Sequence, residues 1–417
     1  MSLVYTNYAS RKPERGSDRM LTAVKSWPTS VSGKDFEVVL YRARPDDYPK
    51  ELYEPWYEDP LYKHLDVKSI LVYVGGAGMG DVVMINPLFN ALKKAWPESH
   101  ITWIGGFSNP VKCLLKDNGL IDDVLYTVVR KHRPSAFPEY ARWWREGRRM
   151  GEADLFIDTQ RQFVPSLLFS LCFKYKHRIG YSSKCLFSDW KFKEPDRHKV
   201  HDTFQTLILA RRLGIEPPDP LHRILIPENF EQIAGDLWER YGFGEAVAMF
   251  PYSAWPVKDW DSQYFLSLGR MLLKEGFKVL LFGGPGDFDK LRNLADLMGK
   301  GAYVPYLLTD LSIDREMYLS MALLKRAALT VSVDSGGAHL SAALGTKTLV
   351  ISLLSRVDKF MPVGRQVWSI YPKIDCSPCP DRNMKACGQE RWCAKGITPR
   401  ILYEAATLLL SGEEAEQ

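Results

Sequence analysis

Ile70-Leu-Val-Tyr-Val74-Gly-Gly-Ala-Gly78-Met-Gly80-Asp81 is an apolar run of strand length that breaks into a glycine loop, after which a helical pattern opens. The same arrangement recurs along the chain. Ile101–Ile104, Asp154–Ile157, Ala246–Phe250, Lys278–Phe282, Leu329–Val333 and Thr348–Ile351 are further short apolar runs. Runs of this length bounded by helical segments indicate parallel strands covered on both faces. Between them, Tyr264, Leu268, Met271 and Leu272 recur at helical spacing behind the N-cap pair Asp261-Ser262, and Gly276 closes that helix. Such alternation predicts an α/β architecture of doubly wound parallel sheets.

A length of 417 residues suits two such domains. The runs group at about 69–227 and 246–355, and the polar, helix-patterned stretch Glu228–Gly244 between them reads as a hinge. The expected boundaries are an extension over 1–67 with a little β structure around Phe36–Tyr41, a first domain over 68–235 and a second over 236–417. Hydrophobic residues at 46% and charged residues at 25% describe a globular chain. No apolar run approaches the ~18 residues of a membrane span. Residues 1–19 show no secretory signal, so a cytoplasmic protein is expected.

A net charge of +5 is too small for a nucleic-acid binder. It is concentrated between Arg130 and Arg149, where seven Lys or Arg face Glu139 and Glu146 among Phe137, Tyr140, Trp143 and Trp144. That stretch reads as a solvated helix face, or as a surface for an anionic acceptor or a membrane interface. Cys113, Cys172 and Cys185 are scattered and read as core thiols. Cys376, Cys379, Cys387 and Cys393 are clustered and suit a four-thiolate iron or zinc site, with redox-active or unligated thiols as the other readings.

The glycine loops carry the chemistry. In Gly75–Asp81 the acid stands where a phosphate-binding loop needs Lys and where a dinucleotide fingerprint needs its third Gly, so both assignments fail. What remains is a carboxylate at a helix start, either a cap or a general base toward a hydroxyl. Later, Asp334-Ser335-Gly336-Gly337-Ala-His339 offers backbone N–H groups at another helix start, a setting that attracts phosphate; His339 by itself would more often be structural. Ser253 and Lys258 follow one strand and Asp287 another. A cation, glycines and an acid suited to ribose hydroxyls, all at strand ends, together describe a nucleotide-diphosphate site.

Gly80-Asp81-Val-Val-Met-Ile-Asn-Pro87-Leu, Lys258-Asp-Trp260, Gly283-Gly-Pro-Gly-Asp287 and Asp334-Ser-Gly-Gly-Ala-His339-Leu, in this order, resemble the motifs of glycosyltransferase family 9, the ADP-heptose-dependent heptosyltransferases. Smaller echoes are Asp154–Asp158, Arg178-Ile-Gly180 and His201 through Gly214. The resemblance implies a GT-B fold of two facing Rossmann-like domains and an inverting, metal-independent transfer from an ADP-sugar donor to a glycolipid or protein acceptor. By that likeness Asp81, on the acceptor loop with Gly78 and Gly80, deprotonates the acceptor hydroxyl. Lys258 and the Asp334–Gly337 helix start, with Ser335, Gly336 and His339, receive the leaving diphosphate, Ser253 helps hold phosphate, and Asp287 holds the ribose. Residues 1–67 and the four clustered cysteines depart from the ordinary lipopolysaccharide enzymes. They are similar to features of the autotransporter heptosyltransferases, which carry an iron-binding finger, modify protein hydroxyls and form large homo-oligomers. The resemblance also allows peripheral contact with the inner face of the inner membrane. A catalytically inactive nucleotide-sugar-binding assembly protein, or another nucleotide-sugar enzyme such as an epimerase, are the rival readings.

Overall fold

The structure is a computed structural model that describes residues 21–43, 65–74, 78–106, 108–126, 137–159, 167, 171–180, 201–215, 224–377, 379, 387 and 390–412. Residues 1–20 and 44–64 of the expected extension, loop residues 75–77, positions 130–136 of the basic stretch and Cys185 lie outside the described residues. The chain divides into two compact units, one of Tyr48–Leu225 and one joining Met1–Asp47 to Ile226–Gln417.

The expected boundaries at 67/68 and 235/236 differ from this division, and the reason is packing. The first residues form a hairpin of β1 (Leu21–Val31) and β2 (Lys34–Ala43). It belongs to the later unit, because β2 pairs antiparallel with a strand more than 300 residues on, Trp368↔Arg42 through Lys373↔Glu37. Val38 and Leu40 are fully buried in that unit's core, and Trp27 nearly so. The helix Glu228–Arg240, read as a hinge, is likewise part of the later unit. Its Phe230 stacks on Tyr318 at 5.1 Å and its Glu231 pairs with Lys325 at 2.8 Å.

The Tyr48–Leu225 unit holds a five-stranded parallel sheet of β3 (Ser69–Val74), β4 (His100–Gly105), β5 (Asp123–Tyr126), β6 (Glu152–Asp158) and β7 (Lys174–Gly180), in the order β5-β4-β3-β6-β7. Asp154 pins the register of β6 against β3. Its Oδ2 accepts from the N–H groups of Lys68 and Ser69 and from the Ser69 hydroxyl, at 2.9–3.1 Å, and Lys176 pairs with its Oδ1. Partial burial opposes ionisation of that carboxyl, but these bonds win and hold it down at about 2.

The second unit holds β8 (Val247–Phe250), β9 (Val279–Leu281), β10 (Ala302–Tyr303), β11 (Leu329–Val333), β12 (Thr348–Ile351) and β13 (Val367–Lys373). These six run parallel in the order β10-β9-β8-β11-β12-β13, and the hairpin extends the sheet to eight strands beyond β13. Apolar side chains of Val247, Met249, Val279, Leu281, Val331, Leu349 and Ile370 meet the helices Ser262–Lys274, Phe288–Met298 and Pro399–Ser411 in one core. The helix over 262–274 starts as expected: Asp261 caps it by accepting from Gln263 N at 2.8 Å, and Gly276 follows its end at φ 93°.

Candidate functional site

In the second unit the chain winds from β8 outward to β9 and β10, then returns to place β11 on the other side of β8. Open α/β sheets bind ligands at the carboxyl ends of the strands flanking such a reversal. The loop after β8 carries Lys258, and Asp334 directly follows β11. Lys258 Nζ donates to Asp334 Oδ2 at 2.8 Å. The two side chains are 24% and 10% exposed, so the ammonium is held yet open to a ligand from solution. Ser355, beyond β12, also donates its hydroxyl to Asp334 Oδ2.

The helix Gly336–Ala343 begins at the same place. Its N-cap Ser335 is extended and makes no side-chain cap; its Oγ lies 3.1 Å from Ser332 Oγ instead. The first-turn N–H groups and the positive end of the helix dipole thus take no cap from Ser335 and begin two residues after Asp334, which holds the ammonium, a combination that suits a diphosphate. Gly337 is required sterically. A Cβ there would stand 2.3 Å from the Phe250 ring, so only glycine lets the helix start approach the end of β8 this closely. His339, one turn in, is buried.

Ser253 is hydrogen-bonded within its own loop. Its N–H donates to Asp259 Oδ1 at 2.8 Å, and its hydroxyl lies 2.7 Å from that oxygen and 2.6 Å from Trp255 O. The side chain braces its own loop. Burial pushes the Asp259 carboxyl up, against the bonds from Ser253; the neighbouring Asp287 adds to the rise and Lys290 opposes it. Asp287 accepts from Gly284 N at 3.3 Å and pairs with Lys290 at 3.3 Å, leaving it at the mouth of the loop after β9. Sequence reasoning missed Ser355, Asp259 and Lys290. Position just past a strand end is the signal that could have found Ser355.

In the first unit the reversal lies between β3 and β6. The helix Met79–Ala95 opens at the end of β3 with Gly78 as its N-cap, so Asp81 is not the cap but the third helical residue, exposed in the first turn. A Cβ at position 78 would meet Asp81 Oδ2 at 3.1 Å. The carboxylate thus lies over the Gly78 backbone, and the helix dipole favours its charged form. Gly80 is the second helical residue. Beneath the reversal, Asp158 and Arg178 form a fully buried ion pair at 2.5 Å.

Among the clustered cysteines, burial pushes the Cys376 thiol up, with the neighbouring Cys379 and Cys387 adding to the rise. Burial pushes the Cys393 thiol up to about 11. Among the described residues, no three His, Cys, Asp or Glu side chains form a group that could hold a metal ion. Cys113 and Cys172 are buried. Among the described residues, no helix is long and apolar enough to cross a membrane.

Residues 143–388, more than half of the chain, match the sequence profile of glycosyltransferase family 9 (heptosyltransferase). The lipopolysaccharide core heptosyltransferase OpsX of Haemophilus influenzae is 21% identical over 281 residues, 66% of this chain and 76% of that one. A glycosyltransferase family 9 structure from Veillonella parvula is similar at a TM-score of 0.66 and 21% identity, over 84% of this chain and 99% of that one. The E. coli ADP-heptose lipopolysaccharide heptosyltransferase II is similar at 0.61 and 17%, over 84% and 100%. These likenesses show the GT-B fold. With the profile match across more than half of its length, the chain belongs to glycosyltransferase family 9, the heptosyltransferases, and is a glycosyltransferase.

Proposed function

We propose that the protein transfers a heptosyl group from ADP-heptose to an acceptor hydroxyl with inversion at the anomeric carbon. The observation that carries this reading is the meeting of Lys258 and Asp334 at the β8/β11 reversal, beside the uncapped start of the helix over 336–343. A diphosphate bound there would lose its sugar with the developing charge already matched by an ammonium and oriented N–H groups, which supplies the electrostatic stabilisation that a metal ion could otherwise provide. Asp287 takes the ribose hydroxyls. Asp81 accepts the proton of the attacking hydroxyl. The acceptor is a bacterial surface glycan, in keeping with the lipopolysaccharide core relative.

A protein hydroxyl is the second reading, favoured by the hairpin and the clustered cysteines that set the chain apart. In either case the exposed Arg142, Arg145, Arg148 and Arg149, with Trp144 at 50% exposure, offer a face for an anionic acceptor or membrane surface on the cytoplasmic side. We also propose that Cys376, Cys379, Cys387 and Cys393 hold one structural iron or zinc with no part in transfer, a reading supported by their spacing within 18 residues of sequence. Elemental analysis finding no metal in freshly purified protein overturns that part.

The deciding experiment is mass spectrometry of truncated lipopolysaccharide and of autotransporter passenger protein after incubation with ADP-heptose. A gain of one heptosyl unit supports transfer and identifies the acceptor class. ADP binding without turnover points to an assembly protein. Conversion of the donor sugar without any acceptor points to an epimerase.

A further inference from the structure

The cysteine segment and the N-terminal hairpin take no part in the chemistry above, yet both lead to the loop that carries Lys258. Arg391 stands between Cys387 and Cys393 with a left-handed backbone, φ 60°. Its N–H approaches Cys387 Sγ at 3.5 Å. Its guanidinium donates to the carbonyl oxygen of Asp259 and, at 3.4 Å, to that of Val257. Those are the carbonyls on either side of Lys258.

Two residues past Lys258, Trp260 is buried and donates Nε1 to Ile397 O at 2.9 Å and Ala394 O at 3.3 Å. Both acceptors belong to the helix Trp392–Gly396 or its exit. The hairpin braces that helix from the other side. Thr29 Oγ1 donates to Gly396 O at 3.2 Å, and Phe36 packs so closely that a Cβ at position 396 would fall 2.3 Å from its ring.

The Lys258 loop is tied within itself by Ser253 and Asp259, and the stretch between them is short. It is a single helical turn, Pro256–Lys258, closed by Lys258 N to Trp255 O at 2.8 Å, with Trp255 52% exposed. A lysine is a flexible point charge whose placement costs up to about 2 kcal/mol of side-chain entropy. Fixing the backbone on both sides of it removes part of the search. A planar guanidinium can reach two carbonyls at once, which an ammonium on a lysine stem does poorly.

We propose that Arg391 is a positioning residue for Lys258, the last member of a brace running from the hairpin through the Trp392–Gly396 helix to the donor loop. The proposal rests on Lys258 being the diphosphate-holding cation. The test uses the full chain with Arg391→Met, the conservative Arg391→Lys, Trp260→Phe and, as reference, Lys258→Met. Amide hydrogen exchange is followed over residues 253–260, and ADP affinity is measured by calorimetry. Faster exchange in that segment is expected for Arg391→Met, with ADP binding weakened about tenfold and Arg391→Lys intermediate. Combining Arg391→Met with Lys258→Met is expected to weaken ADP binding no further than Lys258→Met alone.

If Lys258→Met leaves ADP affinity unchanged, the nucleotide-site reading fails and the proposal falls with it. If Lys258→Met weakens ADP while both Arg391 variants bind as the parent does, the positioning role alone is overturned. Faster exchange without weaker ADP binding overturns it too, since Arg391 then serves only the fold. Should Arg391→Met fail to fold, Arg391→Lys and Trp260→Phe carry the same comparison.

Discussion

The two sheet reversals have the same topology and opposite chemistry. Between β8 and β11 a lysine is held by an aspartate at partly exposed positions, beside a helix start without a side-chain cap. Between β3 and β6 the exposed group is the carboxylate of Asp81, while the nearby Asp158 and Arg178 cancel one another out of reach of water. The difference teaches that the fold only provides the location, and the charge left facing out there decides what is bound. On the proposed function, one reversal receives an anion and the other a proton.

The largest expected effect breaks this contrast at its acidic end. Asp81→Asn keeps size and loses basicity, so kcat is expected to fall about 10³-fold with ADP affinity unchanged; steady-state rates and calorimetry check it. Arg178→Met removes the buried ion-pair partner of Asp158. It is expected to cost about 3–5 kcal/mol, seen as a lower melting temperature, with much of the loss recovered when Asp158→Leu is added. At the cationic end, Lys258→Met is expected to weaken ADP by about 10–100-fold, the worth of one charge-assisted hydrogen bond, and to flatten the salt dependence of binding.

The smallest effect sharpens the contrast between paired and unpaired buried charge. Burial pushes the Glu316 carboxyl up to about 7, with the Ser320 hydroxyl opposing, and its Oε2 has no hydrogen-bond partner among the described residues. The folded chain thus retains a proton that the unfolded chain releases at an ordinary glutamate's pH. Stability is full in acid, falls as pH rises toward 7 and stays reduced above it. Glu316→Gln is expected to stabilise by about 2 kcal/mol at pH 8 and by little at pH 4, read from thermal unfolding at both pH values.

How much was legible varied with how locally the information is written. The seven apolar runs are all strands, because burial on both faces leaves an uninterrupted apolar signature. β7 was invisible because Lys174-Tyr-Lys-His-Arg is the polar run of an edge strand, and β13 because Ser369 and Pro372 interrupt it. The hairpin showed only as alternation at Phe36–Tyr41, with nothing to say which sheet it joins. Asp81 and Lys258 were singled out from their loops. Ser253 was found too, but its hydroxyl proved to be engaged with Asp259, a partner the motif does not name.

By itself the sequence determined the repeating strand–loop–helix units, the loops that bear charge, and the family those loops resemble, because periodicity, turn chemistry and motif spacing all act between residues close along the chain. Only the tertiary structure decided that β8 lies beside β11, so that Lys258 meets Asp334 across 76 positions, and that residues 21–43 complete a sheet begun more than 200 residues later. Strand order is set by how crossover helices pack on both faces of a sheet, a collective property that no local stretch of sequence contains.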